Sequence, residues 1–254
     1  MRRLSPEVVD RISVMVNQNL SLNTISKSLS ISKSTVYYWY RKFGGRTVPK
    51  VIINSGDQEI VGEFIGAFAG DGNYTLDRDY KHQISISLNS KDLHYITHLK
   101  NLIGVVCSKT PHSYTYDRDH VTILRIVSKD LAIFIKSYLM WAKTKTATVE
   151  LRLECKELGN SFVVGFLRGL MDTDGYINHK DKYVTFSTIS PGLARNIETS
   201  LSILGINFKE YINNDPSGHF KPVFRIRVTK DFKKFIGLVQ PKHFNYQNTD
   251  TISL

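Results

Sequence analysis

Phe64-Ile65-Gly66-Ala67-Phe68-Ala69-Gly70-Asp71-Gly72 and Leu167-Arg168-Gly169-Leu170-Met171-Asp172-Thr173-Asp174-Gly175 are two copies of one pattern, 103 positions apart. Gly62, Gly66 and Gly70 recur every fourth residue, as do Gly165, Gly169 and Thr173, so each segment read as a helix carries a strip of small residues along one face. An interior glycine costs a helix about 1 kcal/mol relative to alanine. Five of them in two helices require a return, and close approach of two backbones supplies it. Asp71 and Asp174 then fall side by side at two helix C-termini, where unpaired backbone carbonyls add their partial negative charge to the carboxylates. Such a place repels itself unless a cation fills it, and hard oxygen donors of this kind suit Mg²⁺.

The duplication continues downstream. Leu102-Ile103-Gly104 matches Ile203-Leu204-Gly205, and Ile126-Val127-Ser128-Lys129-Asp130 matches Arg227-Val228-Thr229-Lys230-Asp231, both at 101 positions and in the same order. A repeated unit of this length implies a pseudo-twofold protein. Each unit reads as helix, two strands, helix, two strands, helix. Gln83-Ile84-Ser85-Ile86-Ser87-Leu88 and Phe224-Arg225-Ile226-Arg227-Val228 alternate with period two, so their apolar residues must face the helices. That leaves Gln83, Ser85, Ser87, Arg225 and Arg227 on the open face, with Arg125 in the related strand of the first unit and Thr185 and Ser187 in that of the second. Arginines on an open sheet face are suited to phosphate and base contacts.

Ahead of the repeats, Pro6 stands in the first turn of a helix capped by Ser5, expected over residues 6 to 18. Leu22, Ile25 and Leu29 form a second apolar face, and Val36, Trp39, Tyr40 and Phe43 a third. Ser30-Ile31-Ser32 separates them as a turn with Ile31 buried, and Ser32 caps the last helix. This arrangement resembles the helix-turn-helix DNA-binding domains of resolvases, whose second helix enters the major groove. The residues expected to face outward, Lys33, Ser34, Tyr37, Tyr38 and Arg41, are those the resemblance assigns to DNA. Gly44-Gly45-Arg46-Thr47-Val48-Pro49-Lys50 reads as a linker. The expected division is a helical domain over 1 to 45, a linker over 46 to 56, and repeats over 57 to 155 and 156 to 254.

The chain has 254 residues and a formal net charge of +11, a balance that favours polyanionic partners. Residues 1 to 50 carry nine Lys/Arg against Glu7 and Asp10, so most of the excess is concentrated there. No apolar run is long enough for a membrane helix, and the N-terminus lacks the apolar stretch of a secretory signal. An intracellular protein with no membrane partner is expected. Cys107 and Cys155 lack the spacing of a zinc site or a disulfide framework and are expected in the core.

The paired nonapeptides resemble the LAGLIDADG motif of homing endonucleases, and the resemblance spans residues 57 to 254. The second copy departs from the motif by ordinary substitutions, whereas the first has Ala69 where the family usually has its first aspartate. The resemblance implies an α+β fold in which two pseudo-symmetric αββαββα units form a saddle-shaped antiparallel sheet behind a small all-α helix-turn-helix domain. It implies a monomer that binds a long asymmetric double-stranded DNA site and cuts both strands across the minor groove. Asp71 and Asp174, with the backbone oxygens of Gly70 and Thr173, would hold Mg²⁺, with Mn²⁺ tolerated. Family members also place a lysine near each catalytic centre, which implies Lys143 and Lys242. Lys145 would contact DNA, and Asn89 and Asp92 would hold water. The chain starts without a splicing nucleophile and ends without a His-Asn pair, so a free-standing enzyme is expected rather than an intein. Two relatives of this fold act differently: a transcription regulator that binds without cutting, and an RNA maturase that helps an intron fold.

Overall fold

Two serines set the helical boundaries of the first fifty residues. The Ser21 hydroxyl accepts the Thr24 backbone N–H at 3.1 Å and the Ser32 hydroxyl that of Thr35 at 3.4 Å, satisfying donors that a helix start leaves open. These caps open α2 (Leu22–Leu29) and α3 (Lys33–Lys42), which follow α1 (Pro6–Asn17). Ser5 has the extended backbone of a cap, but its side chain makes no capping bond there. Between α2 and α3 the chain reverses through Ser30 in the left-handed region, with Ser26 Oγ donating to Ile31 O at 2.7 Å. Ile12, Val16, Ile25, Val36 and Tyr40 form the core of this unit. Ile31, expected to be buried, is only partly covered and lies against that core.

The computed structural model describes residues 4–45, 51–77, 81–214 and 221–243. The chain falls into two compact units, Met1–Lys50 and Val51–Leu254. Residues 46–50, the greater part of the glycine-proline linker, lie outside the described residues.

In the second unit the order is α4 (Gln58–Asp71), β1 (Gly72–Leu76), β2 (His82–Asn89), α5 (Leu93–Cys107), β3 (His112–Tyr116), β4 (Val121–Val127) and α6 (Lys129–Tyr138). After a connecting segment of β5 (Leu139–Met140), α7 (Lys145–Thr148) and β6 (Glu150–Leu151), the same order returns. It runs α8 (Cys155–Asp174), β7 (Gly175–Asn178), β8 (Tyr183–Thr188), α9 (Pro191–Ile203), β9 (Lys209–Asn213), β10 (Val223–Val228) and α10 (Phe232–Val239). The fold class is α+β, with two four-stranded antiparallel sheets ordered β1-β2-β4-β3 and β7-β8-β10-β9. Ser85 stands opposite Arg125 and Thr185 opposite Arg227. Arg125 and Arg227 are therefore structural equivalents at 102 positions, one residue off the offset that the flanking motifs give. Cys107 is buried in the core as expected, and the Cys155 side chain lies outside the described residues.

Helices α4 and α8 pack glycine strip to glycine strip. A Cβ placed on Gly62 would lie 2.1 Å from Phe162 O, and one on Gly66 would lie 2.2 Å from Phe166 O. The opposing strip is equally tight, with a Cβ on Gly165 falling 2.0 Å from Glu59 O and one on Gly169 falling 2.1 Å from Glu63 O. The obstacle in all four cases is backbone, which cannot rotate away. Gly66→Ala is expected to cost at least ~3 kcal/mol, the upper range for overpacking a core, read as a lower urea midpoint. Gly104→Ala, where a Cβ meets nothing within 4 Å, should leave the midpoint almost unchanged or raise it.

Candidate metal and nucleic-acid site

The glycine strips bring the two helix ends together. At the last turn, Gly70 admits the Thr173 side chain and the Asp174 carboxylate: a Cβ on Gly70 would sit 2.1 Å from Thr173 Oγ1 and 3.1 Å from Asp174 Oδ2. Thr173 Oγ1 is turned back onto its own helix, donating to Gly169 O at 3.0 Å. Asp71 and Asp174 end their helices, and each then passes directly into a strand at Gly72 or Gly175.

Both carboxylates keep one side open to solvent and are walled by protein on the others. Desolvation, followed by the charge of Asp174, pushes the Asp71 carboxyl up to about 6. Desolvation also raises that of Asp174, against the pull of Lys145. Two carboxylates that resist ionisation beside each other, with backbone oxygens at hand, form a donor set that fits a hard divalent cation. Among the described residues no group of three or more His, Cys, Asp or Glu side chains is poised around a metal. The remaining ligands would be carbonyls, water and phosphate.

The lysine at this place is Lys145, not Lys143. Its ammonium donates to Phe68 O at 2.9 Å, Ala69 O at 2.6 Å and Gly70 O at 2.8 Å, closing the carbonyl end of α4. Burial lowers its pKa to about 8, against the opposing pull of Asp174 and Asp71. The turn that carries it is held by Thr148, whose hydroxyl accepts the Ala142 N–H and donates to Thr144 O. Lys143 is exposed on the same turn. Sequence spacing favours Lys143 because it counts positions along the chain and does not see which one turns toward α4.

The second helix end is closed differently. Asp172, which is 5% exposed, accepts the backbone N–H groups of Lys242, at 2.9 and 3.0 Å, and His243, at 3.0 Å. Burial pushes its carboxyl up to about 7, against those two N–H donors. In the first repeat the equivalent residue is Ala69, which has no such group to offer. Lys242 is thus placed through its backbone by Asp172, a tie that no reading of residue types reveals, although the Ala69/Asp172 difference marks the spot. Asp92, expected to hold water, instead accepts from His243 Nε2 at 2.9 Å at the start of α5. Asn89 accepts the Lys91 N–H within its own turn.

A buried polar seam runs behind the site. Arg168 donates to Glu63 at 3.0 Å, to Glu59 at 2.6 Å and to Val239 O at 2.6 Å, and Glu63 also bonds His98. Burial works against the Glu63 charge, but His98 and Arg168 outweigh it and hold its carboxyl below the usual value.

The open sheet faces carry the expected polar residues. Ser87, Ser187 and Arg225 are exposed, and Gln83, Ser85, Arg125 and Arg227 are half-buried. Arg125 lies over the Tyr114 ring at 5.0 Å and Arg227 over Tyr183 at 4.4 Å, which anchors each guanidinium above the sheet. Thr185 sits beneath Arg227, whose Nε reaches its hydroxyl at 3.4 Å, and is only 7% exposed. Any contact it makes from there would pass through that arginine. In the helical unit, Lys33, Ser34, Tyr37, Tyr38 and Arg41 all lie on the solvent-facing side of α3.

Known proteins share this architecture. Residues 161–240 match the family described as LAGLIDADG-like domain. The homing endonuclease I-DmoI superposes with a TM-score of 0.55 at 16% identity, covering 72% of this chain and 96% of that one. Its complex with DNA and Mn aligns as well, with a TM-score of 0.55 and coverage of 72% and 97%. The ATP-dependent DNA helicase Hel308 of Thermococcus kodakarensis is 25% identical over 176 residues, which is 65% of this chain. The match spans only 15% of that helicase. The chain thus has the LAGLIDADG fold in two ordered repeats, with the helix ends of the two motifs paired at one centre. Among the described residues, no helix is long and apolar enough to cross a membrane.

Because the folded state raises the Asp71 pKa above its ordinary value, ionising this group costs the metal-free protein stability. The cost is absent at pH values well below the ordinary carboxylate pKa and fully present above about 6. Asp71→Asn should therefore raise the melting temperature by a few degrees at pH 7.5 without divalent ions, with the gain shrinking toward zero as pH falls to about 4. A gain that persists unchanged at the acid end would show that charge is not its cause.

Proposed function

We propose that this chain is a site-specific DNA endonuclease of the homing type, cutting both strands of a long asymmetric duplex with the help of divalent cations. The observation that carries the proposal is the meeting of Asp71 and Asp174 at two helix ends that the glycine strips hold together. Each carboxylate comes from one repeat, so one centre is equipped to serve two strands. When bound, a divalent cation supplies Lewis-acid charge to phosphate oxygens. Asp71 and Asp174 would hold it with Gly70 O and Thr173 O, and Mg²⁺ is the physiological choice. Arg125, Arg225 and Arg227 would grip the phosphate backbone from the sheets, while Ser85, Ser87 and Ser187 read base edges beside them. Lys145 lies close enough to both carboxylates to neutralise charge as a phosphate enters. Lys242 would serve the other side from its backbone tie to Asp172. The helical unit would add Lys33, Tyr37, Tyr38 and Arg41 as a second DNA-binding surface on the same chain, raising affinity through effective concentration. The working unit would be a monomer.

The experiment is cleavage of a randomised duplex library with Mg²⁺, comparing the natural chain with Asp71→Asn and Asp174→Asn. The natural chain should yield a single consensus cut on both strands, and each variant should lose at least ~100-fold in rate while still binding DNA. Cutting by the double variant at the natural rate would remove these residues from the chemistry. A natural chain that binds tightly but never cuts would establish a binding-only protein.

Removing residues 1 to 50 should weaken DNA binding and flatten its dependence on salt. Each phosphate that the protein no longer neutralises reduces the slope of log affinity against log salt by about 0.9. An unchanged slope in the truncated protein would mean that this unit does not touch the DNA backbone.

A further inference from the structure

The carbonyl end of α4 is already taken by a cation of the protein's own. Lys145 commits all three of its ammonium protons to Phe68 O, Ala69 O and Gly70 O, at 2.6 to 2.9 Å, from a turn that is itself hydrogen-bonded shut. Gly70 O is the oxygen that a metal in the first half-site would share with Asp71. The equivalent oxygen of the second repeat, Thr173 O, is bonded by no side chain among the described residues, and the Thr173 hydroxyl turns away from it toward Gly169 O and Leu170 O. The motif copies differ in the same sense. Asp172 fixes a backbone segment by accepting N–H groups at 2.9 to 3.0 Å, and where it is replaced by Ala69 the lysine closes the helix instead. The two half-sites are therefore unequal before any ligand arrives.

We propose that Lys145 is a built-in plug of the first half-site. It occupies Gly70 O until a divalent cation displaces it, so that the half-site of Asp174 and Thr173 loads first and the first half-site second. The inference rests on the reading of Asp71 and Asp174 as metal ligands. Its basis is geometric: an ammonium and a metal ion cannot use the same carbonyl oxygen in the same direction, and three convergent bonds must be broken for the exchange. Thr173 O requires no such exchange. Once displaced, the Lys145 side chain is free to meet a phosphate, which is how one residue can close the resting site and serve the loaded one. Ordered loading implies ordered cutting, with the strand served by Asp174 nicked first.

The test counts bound Mn²⁺ on the full-length protein without DNA, by electron paramagnetic resonance of the free ion, for the natural chain, Lys145→Met and Lys145→Arg. The natural chain should bind one Mn²⁺ and then a second at least ~10-fold more weakly, about the effect of one charge-assisted hydrogen bond given up without replacement. In Lys145→Met the two affinities should converge to within about threefold, because the second site gains far more than the first. Lys145→Arg keeps the charge but presents a planar fork that cannot place three donors on three converging carbonyls, so it too should narrow the gap. Circular dichroism and thermal melting establish that each variant is folded. Two equal sites in the natural chain, or a gap that Lys145→Met leaves unchanged, would overturn the plug while leaving the metal reading intact. Convergence in Lys145→Met with none in Lys145→Arg would assign the gap to charge alone and likewise overturn it. No Mn²⁺ bound by the natural chain would overturn the metal reading and the plug with it.

Discussion

Backbone-to-backbone packing of α4 on α8 is the constraint on which the second unit depends. Four glycines face carbonyl oxygens or amides of the opposite helix at distances where a Cβ has no place. The helices therefore approach more closely than side-chain packing allows, and their C-termini are delivered to the same point. Carbonyls of both helix ends and two carboxylates then share one small volume. The raised pKa of Asp71 and the lowered pKa of Lys145 are consequences of that crowding. A helix pair separated by ordinary side chains, at about 8 to 10 Å between axes, would spread the two aspartates apart and relax both shifts.

Much of this is legible in the sequence because it depends on spacing. Four-residue glycine periodicity, the 103-residue repeat and period-two strands are local or additive signals, and each specifies an element that the structure contains. The helix-turn-helix pattern is legible for the same reason, down to the Ser32 cap. What spacing does not deliver is orientation. Lys143 and Lys145 lie two residues apart on one turn, and only the fold of that turn, closed by Thr148, decides which ammonium reaches α4. Alternation assigns Thr185 to the open face, correctly as to side, but does not reveal that Arg227 lies over it. Asp92 and His243 are 151 positions apart, and no periodicity relates them.

The same limitation hides the polar seam. Glu59, Glu63 and Arg168 are charged residues within helices whose other inward positions are apolar, and on sequence alone each reads as a surface position. Burial is tolerated because the charges complete one another. Arg168 reaches two carboxylates and a carbonyl, and Glu63 divides its oxygens between Arg168 and His98. Removing any one member would leave a buried charge without its partner, a loss of about 3 to 5 kcal/mol in comparable pairs.

The seam also bears on why the two repeats stay in one chain. At an offset of 103 positions, Glu59 and Glu63 correspond to Phe162 and Phe166, while Arg168 and Asp172 correspond to Ile65 and Ala69. One flank of the helix pair is therefore ionic and its pseudo-symmetric flank is aromatic and aliphatic. Pairing α4 with a second α4 would bury Glu63 against a helix that offers isoleucine in place of arginine, twice over by symmetry. Pairing α8 with a second α8 would bury Arg168 without a carboxylate. Only the pairing of α4 with α8 satisfies both flanks, and covalent linkage guarantees that the two helices are present in equal number. Freed from identity, the repeats can diverge at the centre they share. One helix end is closed by a lysine side chain and the other by a carboxylate that holds a backbone, and the two half-sites no longer have to act alike.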